Sequence, residues 1–233
     1  MLVARKLIKR FQDRVVVDEL DLTVAPGEIY ALLGPNGAGK TTTINMFLGF
    51  LAPDGGSVSV SGIDVAQDPV GARRKLAYIP EQVALYPRFS GVENLDYFSA
   101  LGGRRHTTNE LFQLLERSGL PRAAAERRVA TYSKGMRQKV GIALALATEA
   151  RALLLDEPTS GLDPAASHDF STLLRRLAQE DVAILMATHD LFRAREDATR
   201  VGILLGGRLA AEYTRKELEH ADLEELYLER LRS

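Results

Sequence analysis

The apolar run Glu28–Gly34, EIYALLG, leads straight into the glycine-rich stretch GPNGAGKT, Gly34–Thr41. That stretch is followed by KTTTINMFLGFL, which has helical character. A short buried run ending in glycine reads as a strand. Strand, glycine loop and helix in this order, with the pattern G-x-x-x-x-G-K-[ST], is the context of a phosphate-binding loop. The glycines let backbone N–H groups close around a phosphate. Lys40 then reaches the β- and γ-phosphates, and the Thr41 hydroxyl is placed for Mg²⁺. Gly34, Pro35, Asn36, Gly37, Ala38, Gly39, Lys40, Thr41 and Thr42 are therefore candidate nucleotide ligands. The competing reading is a glycine-rich turn with a surface lysine.

The rest of the chain fits a sheet of the kind that carries such a loop. KLAYIP, RALLLDE and VAILMAT are further short apolar runs that read as strands. GSVSVSG (Gly56–Gly62) alternates and suggests an antiparallel strand, and RVGILLGGRLAAEY reads as a hairpin about Gly206-Gly207. The segment from about 91 to 147 is mostly helical, with a capping box offered by TTNE at Thr107. PAASHDFSTLLRRLAQ is an amphipathic helix, and the tail KELEHADLEELYLERL reads as another that docks on the domain or on a partner. Strands alternating with helices imply a mostly parallel sheet covered on both faces. No repeat, low-complexity linker or second domain interrupts residues 1–233, so a single domain is expected.

Charge narrows the partners. Thirty Lys and Arg against 31 Asp and Glu give a net charge of −1, so no bulk field draws the chain to nucleic acid or anionic lipid. Without cysteine, disulfides, thiol catalysis and cysteine-ligated metals are excluded. His106, His168, His189 and His220 are scattered without metal-ligand spacing. The N-terminal MLVARKLIKRFQDR is too charged for a signal peptide, and VGIALALATEARALLL is interrupted by Glu149 and Arg151. Any membrane work is therefore expected to need a partner that carries the spans.

A second chemical motif is ALLLDEP, Ala152–Pro158, an apolar strand ending in two acids. Ligands of open α/β sheets gather at the carboxyl ends of strands. Asp156 is suited to the magnesium shell there, and Glu157 to polarising a water, as general base or orienting group. The alternative is a helix start at Pro158 with acids in front of it. These two motifs together leave kinases, switch GTPases and motor ATPases all open.

TYSKGMRQKV, Thr131–Val140, narrows the choice. Ser133 and Gly135 look like a helix start, and a helix start is an anion site because its first N–H groups are unpaired. YSKGMRQ resembles the signature motif of ATP-binding-cassette (ABC) proteins, usually Leu-Ser-Gly-Gly-Gln. Ser133 and Gly135 match, while Tyr132, Lys134 and Met136 depart from the strict form. SGLD (Ser160–Asp163) is similar to the family's D-loop, and ATHD places His189 at its switch-histidine position. The motifs occur in the family's order over nearly the whole chain.

The resemblance implies a P-loop NTPase with a RecA-like, mostly parallel α/β core sheet. It also implies an N-terminal antiparallel β subdomain and an inserted helical subdomain at roughly residues 86–150. It implies ATP and Mg²⁺ as cofactors and a head-to-tail homodimer, or pairing with a similar ATPase subunit. In that dimer Ser133 and the Gly135 amide face the partner's nucleotide, and Asp163 contacts the opposite phosphate loop. Phe11 would stack on adenine, unless it is a core or surface phenylalanine. His189 would contact the γ-phosphate and help fix Glu157, unless it is a surface histidine. Glu81 or Gln82 would fill the glutamine-loop position, register favouring Glu81. The function implied is that of an ATPase subunit on the inner face of a cell membrane, powering export through a separate integral-membrane subunit. YSKGMRQK with LYPRFSGVENLDYF is most similar to stand-alone bacterial drug, antibiotic, sodium or polysaccharide exporter subunits. A soluble ABC ATPase of DNA repair or translation is the alternative; such proteins usually carry two cassettes or long coiled coils.

Overall fold

A computed structural model describes residues 1–219 and 221–232; His220 lies outside the described residues. The chain opens with two long strands, β1 (Leu2–Phe11) and β2 (Arg14–Val24), and then β3 (Ile29–Leu33) and α1 (Lys40–Phe47). Next come β4 (Gly55–Val60), β5 (Ile63–Asp64), α2 (Pro69–Arg73) and β6 (Leu76–Ile79). A helical block follows: α3 (Gly91–Leu101), α4 (Thr108–Arg117), α5 (Arg122–Ala125) and α6 (Lys134–Ala147). The chain then returns to the sheet through β7 (Ala152–Asp156), α7 (Pro164–Gln179), β8 (Ala183–Thr188), α8 (Leu191–Asp197), β9 (Arg200–Leu205) and β10 (Arg208–Thr214). Two helices close it, α9 (Arg215–Leu218) and α10 (Leu223–Arg232).

These strands form an antiparallel four-stranded sheet, β2-β1-β4-β5, and a six-stranded sheet, β10-β9-β3-β8-β7-β6. In the larger sheet only the β9–β10 pair is antiparallel. Its central strands are covered on both faces, which is why their sequences are continuous apolar runs. Side chains alternate between two cores. Tyr30, Leu32, Leu154 and Leu185 join α1 and the antiparallel sheet. Ile29, Ala31, Leu33, Leu153, Ile184 and Met186 join α6, α7 and α8. Each fully buried Leu or Ile contributes about 1.5–3 kcal/mol.

The helical block has an apolar cluster of its own, built on Leu95, Leu111, Phe112, Leu115 and Val129 with the outer face of α6. Ser90 and Thr107 start α3 and α4 with reciprocal capping boxes to Glu93 and Glu110. The expected single tail helix is instead two. Asp222 interrupts it, because its carboxylate accepts the Glu224 amide (2.9 Å) and begins a new helix. Leu223, Leu226 and Tyr227 of α10 dock on the core beside α8. Among the described residues no helix is long and apolar enough to cross a membrane.

Candidate functional site

The glycine loop hangs from the carboxyl end of β3, where the Gly34 amide donates to the Thr188 carbonyl at 3.2 Å. Gly37 and Gly39 have φ of 81° and 108°, a region that side chains rarely tolerate. A Cβ at Gly39 would also lie 2.6 Å from the Val16 carbonyl oxygen. Gly39 starts α1 without a side-chain cap, which leaves the first amides of the helix for an anion.

Lys40 folds back into this loop. Its Nζ donates to the carbonyls of Gly34 (2.5 Å) and Pro35 (3.2 Å) and lies 3.7 Å from Glu157 Oε1. Burial pulls its pKa below the ordinary lysine value, and Glu157 and Asp156 oppose that. The Thr41 hydroxyl donates to Asp156 Oδ2 at 2.9 Å. Burial pushes the Asp156 carboxyl upward, the Thr41 bond holds it down, and the neighbouring Glu157 raises it further.

Glu157 follows β7 with φ of 47°, an uncommon value for a residue with a side chain. Its amide donates to the Ala187 carbonyl at 2.9 Å. The carboxylate collects His189 Nδ1 at 2.9 Å, the Thr188 hydroxyl at 3.3 Å and the His189 amide at 3.4 Å. Residues 158–161 form a turn and α7 begins only at Pro164, so Pro158 does not open a helix. Asp156 and Glu157 therefore face the loop and are not helix-start acids.

One pocket gathers residues 35–42, Val16, Glu81, Asp156 and Glu157. Glu81 lines it and Gln82 does not. Phe11 is absent from the lining; it sits exposed at the end of β1 with the Lys9 ammonium 5.6 Å from its ring centre. Thr41, Asp156 and Glu81 offer only hard oxygen donors. Among the described residues no three His, Cys, Asp or Glu are gathered into a cage. That donor set suits a magnesium ion shared with substrate phosphates, which needs only one or two protein carboxylates.

Ser133, Gly135 and Asp163 lie outside the pocket lining but close to one another. Ser133 Oγ caps α6 by accepting the Met136 amide at 3.2 Å. Asp163 caps α7 by accepting the Ala166 amide at 2.8 Å. Gly135 backs onto the start of α7, where an added Cβ would come 3.3 Å from Ala166 Cβ. Lys134 Nζ bonds the Ser160 carbonyl, and the buried Gln138 amide bonds the Pro158 carbonyl. The start of α6 and the segment after Glu157 thus form one piece.

Sequence reasoning passed over Val16, Thr188 and Gln138, and gave Ser160 only as the first residue of the stretch similar to the D-loop. Val16 reaches the pocket from another sheet, and Gln138 stands in a helix with nothing to mark it as buried. Thr188 could have been found, because it directly precedes His189 at the end of an apolar strand.

A family model described as ABC transporter matches residues 17–160. The chain belongs to the ABC transporter family. The daunorubicin resistance ATP-binding protein DrrA3 of Streptomyces coeruleorubidus is 37% identical over 213 residues, covering 91% of this chain and 67% of that protein. A Nod factor export ATP-binding protein I of Burkholderia pseudomallei is 38% identical over 216 residues, covering 92% of this chain and 71% of the other. The chain thus spans roughly two thirds of the length of these curated relatives. A solved ATP-binding subunit of an ABC transporter superposes with a TM-score of 0.86 at 33% identity, covering 99% of each chain. A dimeric ATP-binding cassette in a post-hydrolysis state, with ADP and phosphate bound, gives 0.80 at 25% identity, over 92% of this chain and 99% of the other. The fold expected from the motifs is therefore the one observed, and the chain is an ATP-binding, ATP-hydrolysing cassette of this ABC family.

Proposed function

We propose that this cassette binds magnesium-ATP on the loop Gly34–Thr42 and hydrolyses it in a head-to-tail pair, powering export through a separate membrane subunit. One observation carries the paired reading. The capped helix start at Ser133 and the Asp163 cap sit together on one surface, yet neither lines the pocket of their own chain. A second chain placed against that surface would receive the Ser133 hydroxyl and the Gly135 amide at its γ-phosphate. The dimeric cassette among the solved relatives supports such pairing.

In the closed pair Lys40 would neutralise charge on the β- and γ-phosphates, and Thr41 and Asp156 would hold magnesium, with Glu81 beside them. The metal, when bound, offsets charge that develops on the phosphoryl oxygens. Glu157, aligned by His189 and Thr188, takes or orients the proton of the attacking water. Closure excludes bulk water and strengthens each of these interactions. Loss of the γ-phosphate removes the contact that joins the two chains, so ATP favours the closed state by binding it better.

Export is supported by the named activities of the relatives, which concern drug resistance and Nod factor export. An exposed aromatic group supports a membrane partner. Tyr86 lies 5.4 Å from Phe89, 5.0 Å from Tyr97 and 5.8 Å from Phe98, ring centre to ring centre. Clustered exposed aromatics of this kind favour a protein contact. The segment from Glu81 to Phe98 would then carry motion from the pocket to that subunit at the inner membrane face.

Mixing tests the pairing. Ser133→Arg chains and Lys40→Ala chains, each inactive alone, recover about a quarter to a half of parental ATPase when combined, because one composite site is intact. No recovery in a demonstrated heterodimer contradicts shared sites. A tagged pull-down from detergent-solubilised membranes tests transport, with a multi-span protein in near-equal amount as the expected result. A ribosomal or nucleic-acid complex without one would move the function away from transport.

A further inference from the structure

Three carboxylates, Glu81, Asp156 and Glu157, line the pocket, and among the described residues Lys40 is the only cationic one in its lining. A nucleoside triphosphate brings several more negative charges to the same place. Asp156 feels both neighbouring carboxylates, each of which disfavours its ionised form. Glu157 has its own partners in His189 and Lys40. Glu81 stands at the mouth, and its cationic partner comes from the helical block: Lys134 Nζ lies 3.5 Å from Glu81 Oε1.

That contact is part of a built arrangement. The Ser160 hydroxyl donates to the same Glu81 oxygen at 3.2 Å, and Lys134 also bonds the Ser160 main-chain carbonyl. The Lys134 side chain is partly buried, 28% exposed against 50% for Glu81, and its ammonium is held by two partners at once. The two partners come from different parts of the fold. Glu81 follows β6 of the core sheet, and Lys134 is the first residue of α6.

We propose that Lys134 is a positioning residue for magnesium-ATP binding: its ammonium fixes the Glu81 carboxylate at the pocket mouth and offsets the charge Glu81 adds beside Asp156 and Glu157. The inference rests on reading the phosphate-loop pocket as the site of magnesium-ATP. Without the ammonium, an unopposed carboxylate repels the incoming triphosphate and loses its fixed direction. Neutralising Glu81 removes the need for the ammonium. The effect of losing Lys134 therefore depends on whether residue 81 is charged.

The test is a double-mutant cycle on the full chain, with steady-state ATPase measured against magnesium-ATP concentration. Lys134→Met raises KM about two- to fivefold in the parent while kcat changes less than about twofold. In a Glu81→Gln background the same substitution changes KM less than about twofold, and Lys134→Arg in the parent keeps KM within about twofold. An equal effect of Lys134→Met in both backgrounds would overturn the proposal, since Lys134 would then act through Ser160 or a partner's phosphate. No effect in the parent would overturn it too. Nucleotide titration of Lys40→Ala separates the two claims. Unchanged binding there removes the pocket assignment itself, whereas lost binding with an additive cycle removes only the role of Lys134.

Discussion

Glu157→Gln lowers the rate of ATP hydrolysis by about 10²–10⁴-fold while the protein still takes up nucleotide, the range that loss of a positioned general base produces. The amide keeps the shape of the side chain and an acceptor for the Thr188 hydroxyl and the His189 amide, so the loop after β7 is not disturbed. What disappears is the capacity to take a proton and one negative charge facing Lys40 at 3.7 Å. Removing that charge makes the pocket more hospitable to a triphosphate. Nucleotide therefore persists unhydrolysed, and the paired form accumulates. Single-turnover quench measurements report the first effect, and size-exclusion chromatography in ATP the second. Hydrolysis at the parental rate would assign the water to another carboxylate.

Lys40→Ala has an effect of comparable size but on a different step. The lysine is 6% exposed and its ammonium is spread over two loop carbonyls and Glu157. Truncation leaves those groups without their cation and takes away the charge proposed to meet the phosphates. Breaking a buried pair on one side costs about 3–5 kcal/mol. If even half of that is felt on binding, affinity for ATP falls about tenfold, and if all of it is, about 10²–10³-fold or more. A fluorescent-nucleotide titration measures the loss. A thermal melt without nucleotide separates it from unfolding. An unaltered Kd would remove Lys40 from the site.

Much of this was visible in the chain itself, for physical reasons that differ between elements. β3, β7 and β8 are buried on both faces, so each is an uninterrupted apolar run that cannot be mistaken for surface. α7 matches its amphipathic stretch from Pro164 to Gln179, with Asp163 as its cap. The glycine loop is dictated by backbone conformations that few residues accept. β1 and β2 were far less legible. Lys6 and Glu19 take positive φ and the pairing register shifts repeatedly, so the alternation that marks a half-buried strand is broken. Contacts across the fold were hidden as well. Val16 meets the loop only because the antiparallel sheet packs over α1. The pairing of Glu81 with Lys134 joins residues from the core sheet and the helical block. The tail was misread because leucine spacing continues across Asp222, whose local hydrogen bond outweighs the helical repeat.

The alternating burial of β3 has a consequence for how this molecule comes apart. Tyr30 and Leu32 belong to one core and Ile29, Ala31 and Leu33 to the other, so the strand has no free side from which to fray. Its amides belong to the last cooperative unit to exchange with solvent, at the cost of global unfolding. α4 buries Leu111, Phe112 and Leu115 in the separate cluster of the helical block, and that unit is free to open first. Under mild stress the chain thus sheds its outer helices while the nucleotide pocket stays folded. The part proposed to meet a partner is the part that fails early.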